Sequence, residues 1–368
     1  LVLTSFVERH VLRRSVDGLI MFGRSSYLYL FAAKRVAKNS AFRQRLMTNP
    51  LFYAAILKDH AALVRQDSDL LRSLAPLLEA FNGDYTQSAP FAEMELVRPR
   101  AIEGPEGDDE LVASEDVHDG GDETASPIED WLENYGDDSD SLPVFPGEDP
   151  SELPLGLRML RSLDLVSTVL RDSDEIEDLE LKRGVLEGAL RSWGALIPAL
   201  YNDASFRDFT RSLAEELGAE GLIDVKGEDE WAEFVEEFQI ELPSVMALGG
   251  ISTVLASRKL VRVFEAAIGS SSYSAEIDAR IGAVFFAYGV REPGWPSQVK
   301  RLLEGTGNKW IVRKFVLYRL LDVYFNSTLS VSDAETLRDI CIELICRGSK
   351  FDTPGERATY ESELRQSL

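Results

Sequence analysis

The sequence predicts an all-α protein: two helical domains of stacked, solenoid-like helix pairs joined by a long acidic linker. Three observations carry this expectation. Apolar residues recur at i, i+3, i+4 and i+7 through most of the chain, and no segment alternates at period 2 for long enough to build a sheet. No Lys or Arg occurs between Arg100 and Arg158. A length of 368 residues suits two domains, and the 45% hydrophobic fraction supplies a core on each side of the break.

Residues 1–24 read as the end of a winged-helix-like module. A short helix from Leu3 to His10 leads into Val11–Phe22, with Asp17-Gly18 between two apolar-rich runs. That pair is a hairpin signal, because glycine accepts the positive φ of a tight turn. Residues 25–90 form the N-terminal helical domain. Ser25 or Ser26 caps a helix carrying Tyr27, Leu30, Phe31, Lys34 and Val36. Asn49-Pro50 opens a second helix, and a third runs from about Asp67 to Phe81, stopping at Asn82-Gly83.

Residues 91–153 read as a disordered acidic linker. Positions 103–152 hold 19 of the chain's 63 Asp and Glu, and the segment carries Pro105, Pro127, Pro143, Pro146 and Pro150. Without those 19, 44 acidic residues face 39 basic ones, so most of the net charge of −24 sits here. Self-repulsion and few buriable side chains leave too little apolar burial to offset ordering entropy. Ile128, Trp131, Leu132 and Tyr135 are spaced i, i+3, i+4, i+7, about two helical turns, too short to persist alone. They read either as a solvated turn or as an acidic-hydrophobic recognition helix that docks in a groove. Trp131, Leu132 and Tyr135 are the candidate interaction residues.

Residues 154–368 form the C-terminal helical domain. Pro154 introduces a helix over Leu155–Leu170, and a longer one runs from about Glu175 to Tyr201 with Pro198 expected to kink or end it. Further helical patterns occupy about 205–217, 228–238, 243–268, 274–289, 296–304, 307–326, 332–346 and 354–367.

The acidity argues against nucleic acid or an anionic membrane as partner of the whole chain. The first 100 residues, with 14 Lys/Arg against 9 Asp/Glu, read as a solvated surface. No apolar run is seen that reaches the roughly 18 residues of a membrane span, which predicts a soluble protein. Cys341 and Cys346 fall on or beside the buried stripe of a helix, spaced as neither CxxC nor a zinc pair, and predict reduced structural thiols in the cytoplasm. His10 and His60 read as surface or packed residues, and His118 lies in the linker. Gly305-Thr306-Gly307-Asn308-Lys309 lacks both the spacing and the preceding strand of a phosphate-binding loop, and reads as a helix end and restart. Glu215-Glu216, Asp229-Glu230 and Glu236-Glu237 read as solvated helix faces, and no Ser, Thr or Cys has a nucleophile-elbow context. The expectation is no catalytic, cofactor-binding or metal-binding residue, and no enzyme activity. The aromatics at Tyr27, Tyr29, Phe31, Phe52 and Tyr53, and at Trp310, Phe315, Tyr318, Tyr324 and Phe325, read as core packing, or in part as a contact surface for a neighbouring domain.

The run Val16-Asp17-Gly18-Leu19-Ile20-Met21-Phe22, followed by Ser26-Tyr27-Leu28-Tyr29-Leu30-Phe31-Ala32-Ala33-Lys34-Arg35-Val36-Ala37, resembles the post-ATPase region of bacterial STAND NTPases. These are the NACHT- and NLR-like proteins of anti-phage defence, in which a winged-helix module ends in a strand and an aromatic-rich helix opens the sensor region. Asn49-Pro50-Leu51-Phe52-Tyr53-Ala54 is similar to the short helix that follows there. Leu165-Val166-Ser167-Thr168-Val169-Leu170-Arg171, Leu181-Lys182-Arg183 and Leu190-Arg191-Ser192-Trp193 are similar to a recurring pattern further on, although Val166-Ser167 replaces its Gly-Gln and Trp193 interrupts its Leu-Gly-Leu-Arg run. The likeness covers residues 10–81 and 157–200. It implies a sensor and autoinhibitory region that binds a protein trigger and controls an NTPase domain upstream in cis. ATP and Mg are then expected upstream and not in this chain, with a homo-oligomer at full length. A chain opening on Leu1 fits the C-terminal part of a longer protein better than a cleaved signal. The alternative is a freestanding helical scaffold or adaptor whose acidic linker competes for a basic partner surface.

Overall fold

A computed structural model of the chain describes residues 6, 9, 11–14, 20–22, 25–79, 88–99, 154–219, 227–269 and 276–368. Most of the expected Leu3–His10 helix, the Asp17-Gly18 turn, His118, and the stretch 103–152 with Trp131, Leu132 and Tyr135 lie outside these residues.

The fold is all-α, as the apolar spacing predicts. Among the described residues one short strand pair precedes Ser25: β1 (Leu12–Arg14) runs antiparallel to β2 (Ile20–Phe22), with Leu12 opposite Phe22 and Arg14 opposite Ile20. It flanks the Asp17-Gly18 position that marked a hairpin. Helix α1 (Ser25–Val36) follows, then α2 (Ser40–Met47), α3 (Ala54–Leu63), α4 (Ser68–Leu74) and the single turn α5 (Pro76–Glu79). Asn39 and Asp67 cap α2 and α4, their carboxamide and carboxylate oxygens accepting from the Phe42 and Leu70 amides at 2.9 Å. The helix expected from Asn49-Pro50 begins later, at Ala54, because residues 48–53 spend a turn on Asn49 bonds first.

After residue 99 the description resumes at Pro154, which precedes α6 (Leu155–Asp172). Then come α7 (Leu179–Asn202), α8 (Ala204–Ala219), α9 (Glu228–Gly250), α10 (Val261–Gly269), α11 (Ile277–Val290), α12 (Trp295–Leu303), α13 (Leu317–Asn326), α14 (Val331–Arg347) and α15 (Pro354–Ser367). Two π-helical turns, Ile251–Leu255 and Ile311–Val316, extend α9 and introduce α13. Neither internal proline ends its helix: α7 passes through Pro198, and α9 passes through Pro243, joining the 228–238 pattern to the start of the 243–268 one. A proline inside a helix costs about 3 kcal/mol. Burial of Leu196, Ile197 and Leu200 around one, and of Ile240, Leu242, Ala247 and Leu248 around the other, offsets that at about 1.5–3 kcal/mol per large side chain.

Helix α7 is the hub. It packs against α4 to α6 on one side and α8 to α11 on the other, and its Val185, Leu186, Ala189, Leu190, Trp193, Leu196 and Ile197 are all buried. A helix apolar around most of its circumference has to be surrounded. The arrangement therefore departs from a solenoid, in which each unit touches only its neighbours. At the α7–α11 crossing a Cβ on Gly194 would sit 2.0 Å from the Asp278 carbonyl oxygen, and one on Gly282 would sit 2.0 Å from that of Leu190. Only glycine permits this backbone approach.

One continuous core runs across the acidic break: Leu57, Leu70, Leu71, Leu74 and Leu78 belong to the same cluster as Met159, Leu163, Val166 and Leu186. The expected division into 25–90 and 154–368 is thus a division of the sequence, while the packing joins the two. Between α14 and α15 a small second cluster holds Ile342, Cys346 and Leu364. The segment Asp229–Leu255 is, by length and composition, apolar enough to cross a membrane, contrary to the expectation that no such run exists. Its apolar half packs on α7 and α11, where a Cβ on Gly250 would meet the Trp193 ring at 2.3 Å.

Candidate functional site

Among the described residues no three His, Cys, Asp or Glu side chains gather to hold a metal. Cys341 and Cys346 are buried free thiols, as their helical spacing predicts, and burial pushes Cys341 up to about 12. His60 is packed inside: Nδ1 lies 3.2 Å from the Ala33 carbonyl and Nε2 lies 2.9 Å from Asp67 Oδ2. Asp67 also accepts Arg43 at 2.8 and 3.0 Å. Burial by itself would raise the Asp67 carboxyl, but hydrogen bonds from His60, Arg43 and the Leu70 amide hold it well below the usual carboxylate range.

A second ionic knot joins the two sequence segments. Asp174, in the loop between α6 and α7, pairs with Arg65 and, at 3.3 Å, with Lys259. Hydrogen bonds from Arg65 and Lys259 outweigh the burial that would raise its carboxyl, and lower it. Lys182 is buried beneath, donating to the Asp174 and Ile176 carbonyls at 2.9 and 3.1 Å. Burial lowers its amine, with Asp174 opposing. Lys58–Asp164 and Arg72–Asp178 continue the row. These pairs align α3 and α4 with α6 and α7.

The most distinctive surface feature is an extended strap, Ser88–Pro99, laid over the C-terminal helices. Residues 91–99 belong to the expected linker, yet they are held here. A 3₁₀ turn, Ala89–Phe91, buries Pro90 and Phe91 as an anchor. Beyond it the strap makes two single-residue β-bridges, Glu93 with Lys309 and Val97 with Ser349. The Trp310 amide donates to the Ala92 carbonyl at 3.1 Å, and the Met94 amide donates to the Asn308 carbonyl at 2.9 Å. Asn308 donates its side-chain amide to the Met94 carbonyl and its backbone N–H to Glu93 Oε2, each at 2.9 Å. Lys309 Nζ donates to the Phe91 carbonyl at 2.9 Å and lies 3.3 Å from Glu93 Oε1. Arg313 donates to the Glu95 carbonyl at 3.1 Å. Further on, the Val97 amide donates to the Gly348 carbonyl and the Lys350 amide donates to that of Val97, at 3.1 and 3.0 Å.

The glycine–lysine cluster at 305–309 finds its role here. Gly305 and Gly307 take φ of 76° and 72°, the left-handed region, to turn the chain out of α12. A Cβ on Gly307 would lie 2.5 Å from Glu93 Oε1, so the missing side chain leaves the carboxylate its seat. The sequence reading missed Glu93, Asn308, Lys309 and Arg313 as a group. The only local signal was the brief polar–apolar alternation Glu93-Met94-Glu95-Leu96 between Pro90 and Pro99, too short to separate from a linker.

Open grooves occur among the described residues. One of about 540 Å³ lies between α5 and α7, over Gly184 and Gly188, with Glu79, Glu180, Glu187 and Arg191 at its edges. Another, of about 480 Å³, lies where the strap ends, between Arg98 and Phe351, Glu356 and Tyr360. A third, of about 350 Å³, is bounded by Glu93, Glu233, Glu236, Glu237 and Trp310. No family model, curated protein or solved structure matches the chain.

Proposed function

We propose that this chain is an interaction region without chemistry of its own, and specifically the C-terminal sensor and autoinhibitory helical region of a STAND-type NTPase in cytoplasmic anti-phage defence or signalling. The observation supporting it is the order at the N-terminal end: an antiparallel hairpin, Leu12–Arg14 with Ile20–Phe22, directly followed by the aromatic helix Ser25–Val36. That order is what the resemblance calls for. A protein trigger bound by the helices would shift a closed-to-open equilibrium of an ATPase preceding them, and nucleotide-dependent homo-oligomers would follow. ATP and Mg would belong to that upstream domain. The coding frame upstream of Leu1 gives the test: a Walker A lysine and an acidic Mg ligand within a few hundred residues are expected, and a frame lacking both sinks the reading.

The strap favours a second reading, a freestanding scaffold or adaptor, because a body that already holds an extended segment of chain needs no motor to bind peptides. Native mass spectrometry of the full-length product separates the two. Assembly that changes with ATP supports the sensor, and assembly indifferent to ATP supports the adaptor.

A further inference from the structure

We propose that the ledge formed by Gly307–Trp310, Arg313 and Gly348–Lys350 is a binding site for an extended acidic peptide of a partner protein, held in the free chain by strap residues Ala92–Pro99. The proposal stands on the strap contacts alone and holds for either reading above.

First, the contacts are transferable. Between Ala92 and Val97 the strap is held through its main chain and one carboxylate. Strand addition of this kind takes its affinity from backbone pairing and its selectivity from the few side chains that meet a pocket. Second, the ledge has one selective seat. The Asn308 N–H and Lys309 Nζ both point at the Glu93 carboxylate, and Gly307 leaves room for it. A hydrogen bond to an ionised acceptor is stronger than a neutral one, so the seat prefers Glu or Asp. Arg313 beside it favours a second acidic residue over a basic one. Third, the strap is loosely retained. Past the Phe91 anchor Met94 is only half-buried, and Leu96 and Val97 are 51% and 57% exposed. Segments with few buried apolar contacts open at low free energy while the rest stays folded. Phe91, fully buried, would keep the strap attached during exchange.

The test uses the full chain and a fluorescent peptide spanning Ser88–Pro99. Glu93 is exposed, so Glu93→Lys in the full chain leaves the core intact while setting Lys309 against its own strap. The peptide is expected to bind the Glu93→Lys chain at least about tenfold more tightly than the unaltered chain, equivalent to about 1.4 kcal/mol. A peptide carrying Glu93→Lys is expected not to bind either chain, and Lys309→Glu in the host is expected to restore its binding. Equal affinity for the two chains, or no binding to either, overturns the proposal. Amide exchange adds an independent reading: the Met94 and Val97 amides are expected to exchange at least about a hundredfold faster than that of Leu190 in α7. Exchange as slow as in α7 means the strap is a fixed part of the fold, and also overturns it.

Discussion

Asp67 shows how much one side chain can organise. Its two oxygens serve the N-cap of α4, an arginine on α2 and a histidine on α3, and that histidine's other ring nitrogen reaches the Ala33 carbonyl of α1, so the four helices are tied together. Asp67→Asn keeps an oxygen for the cap but removes the charge that Arg43 and His60 face. Loss of one member of a largely buried pair predicts destabilisation of about 2–4 kcal/mol at pH 7, read by urea unfolding. A carboxyl whose folded pKa lies below its unfolded value, about 3.9, stabilises the fold above that value and ceases to as pH falls through the folded one. The difference between the native chain and Asp67→Asn is therefore expected to be full at pH 7 and to narrow steadily below about pH 4. A gap unchanged at pH 2.5 would assign the effect to shape and not to charge. The spacing of His60 in its helix marked it as packed or exposed, but its partner seven residues on and the Ala33 carbonyl came only with the tertiary structure.

At the scale of elements, the α7–α11 crossing is the most demanding contact. Two glycines, on different helices, each admit the other helix's carbonyl oxygen. Gly282→Ala or Gly194→Ala has to push the helices apart, and overpacking of this sort costs about 1–3 kcal/mol or more. Each variant is expected to lower the thermal midpoint by roughly 5–10 °C, whereas Gly184→Ala, whose Cβ meets nothing within 4 Å, is expected to hold or raise it. Equal midpoints for Gly184→Ala and Gly282→Ala would contradict the packing. Most helices were legible from apolar spacing and caps: α1, α6, α7, α8, α11, α12, α14 and α15 fall within a few residues of the pattern. Boundaries failed where burial overrode a local rule, at Pro243, and where α4 breaks at Pro76. The strap failed for the opposite reason. Its order comes from partners some 215 residues away, which no window of local sequence contains.

The molecule as a whole is assembled from two sequence segments that neither own nor divide the core. Leu57, Leu71 and Leu78 pack into the same interior as Met159, Val166 and Leu186, while the Lys58–Asp164, Arg65–Asp174 and Arg72–Asp178 pairs, being partly exposed, contribute register more than stability. A specific protease site inserted between Arg100 and Pro150 tests this. The cut chain is expected to elute from a sizing column as one particle at micromolar concentration and to separate only in denaturant. Two independent particles under native conditions would restore the sequence-level division. The shared core also bears on synthesis. Helices α1 to α5 leave the ribosome with the faces that will meet α6 and α7 unpaired, and α6 and α7 are complete only roughly 90–120 residues later, about 5–20 s at ordinary translation rates. For that interval the nascent chain carries an unfinished hydrophobic surface, followed by a run of negative charge that keeps neighbouring nascent chains apart.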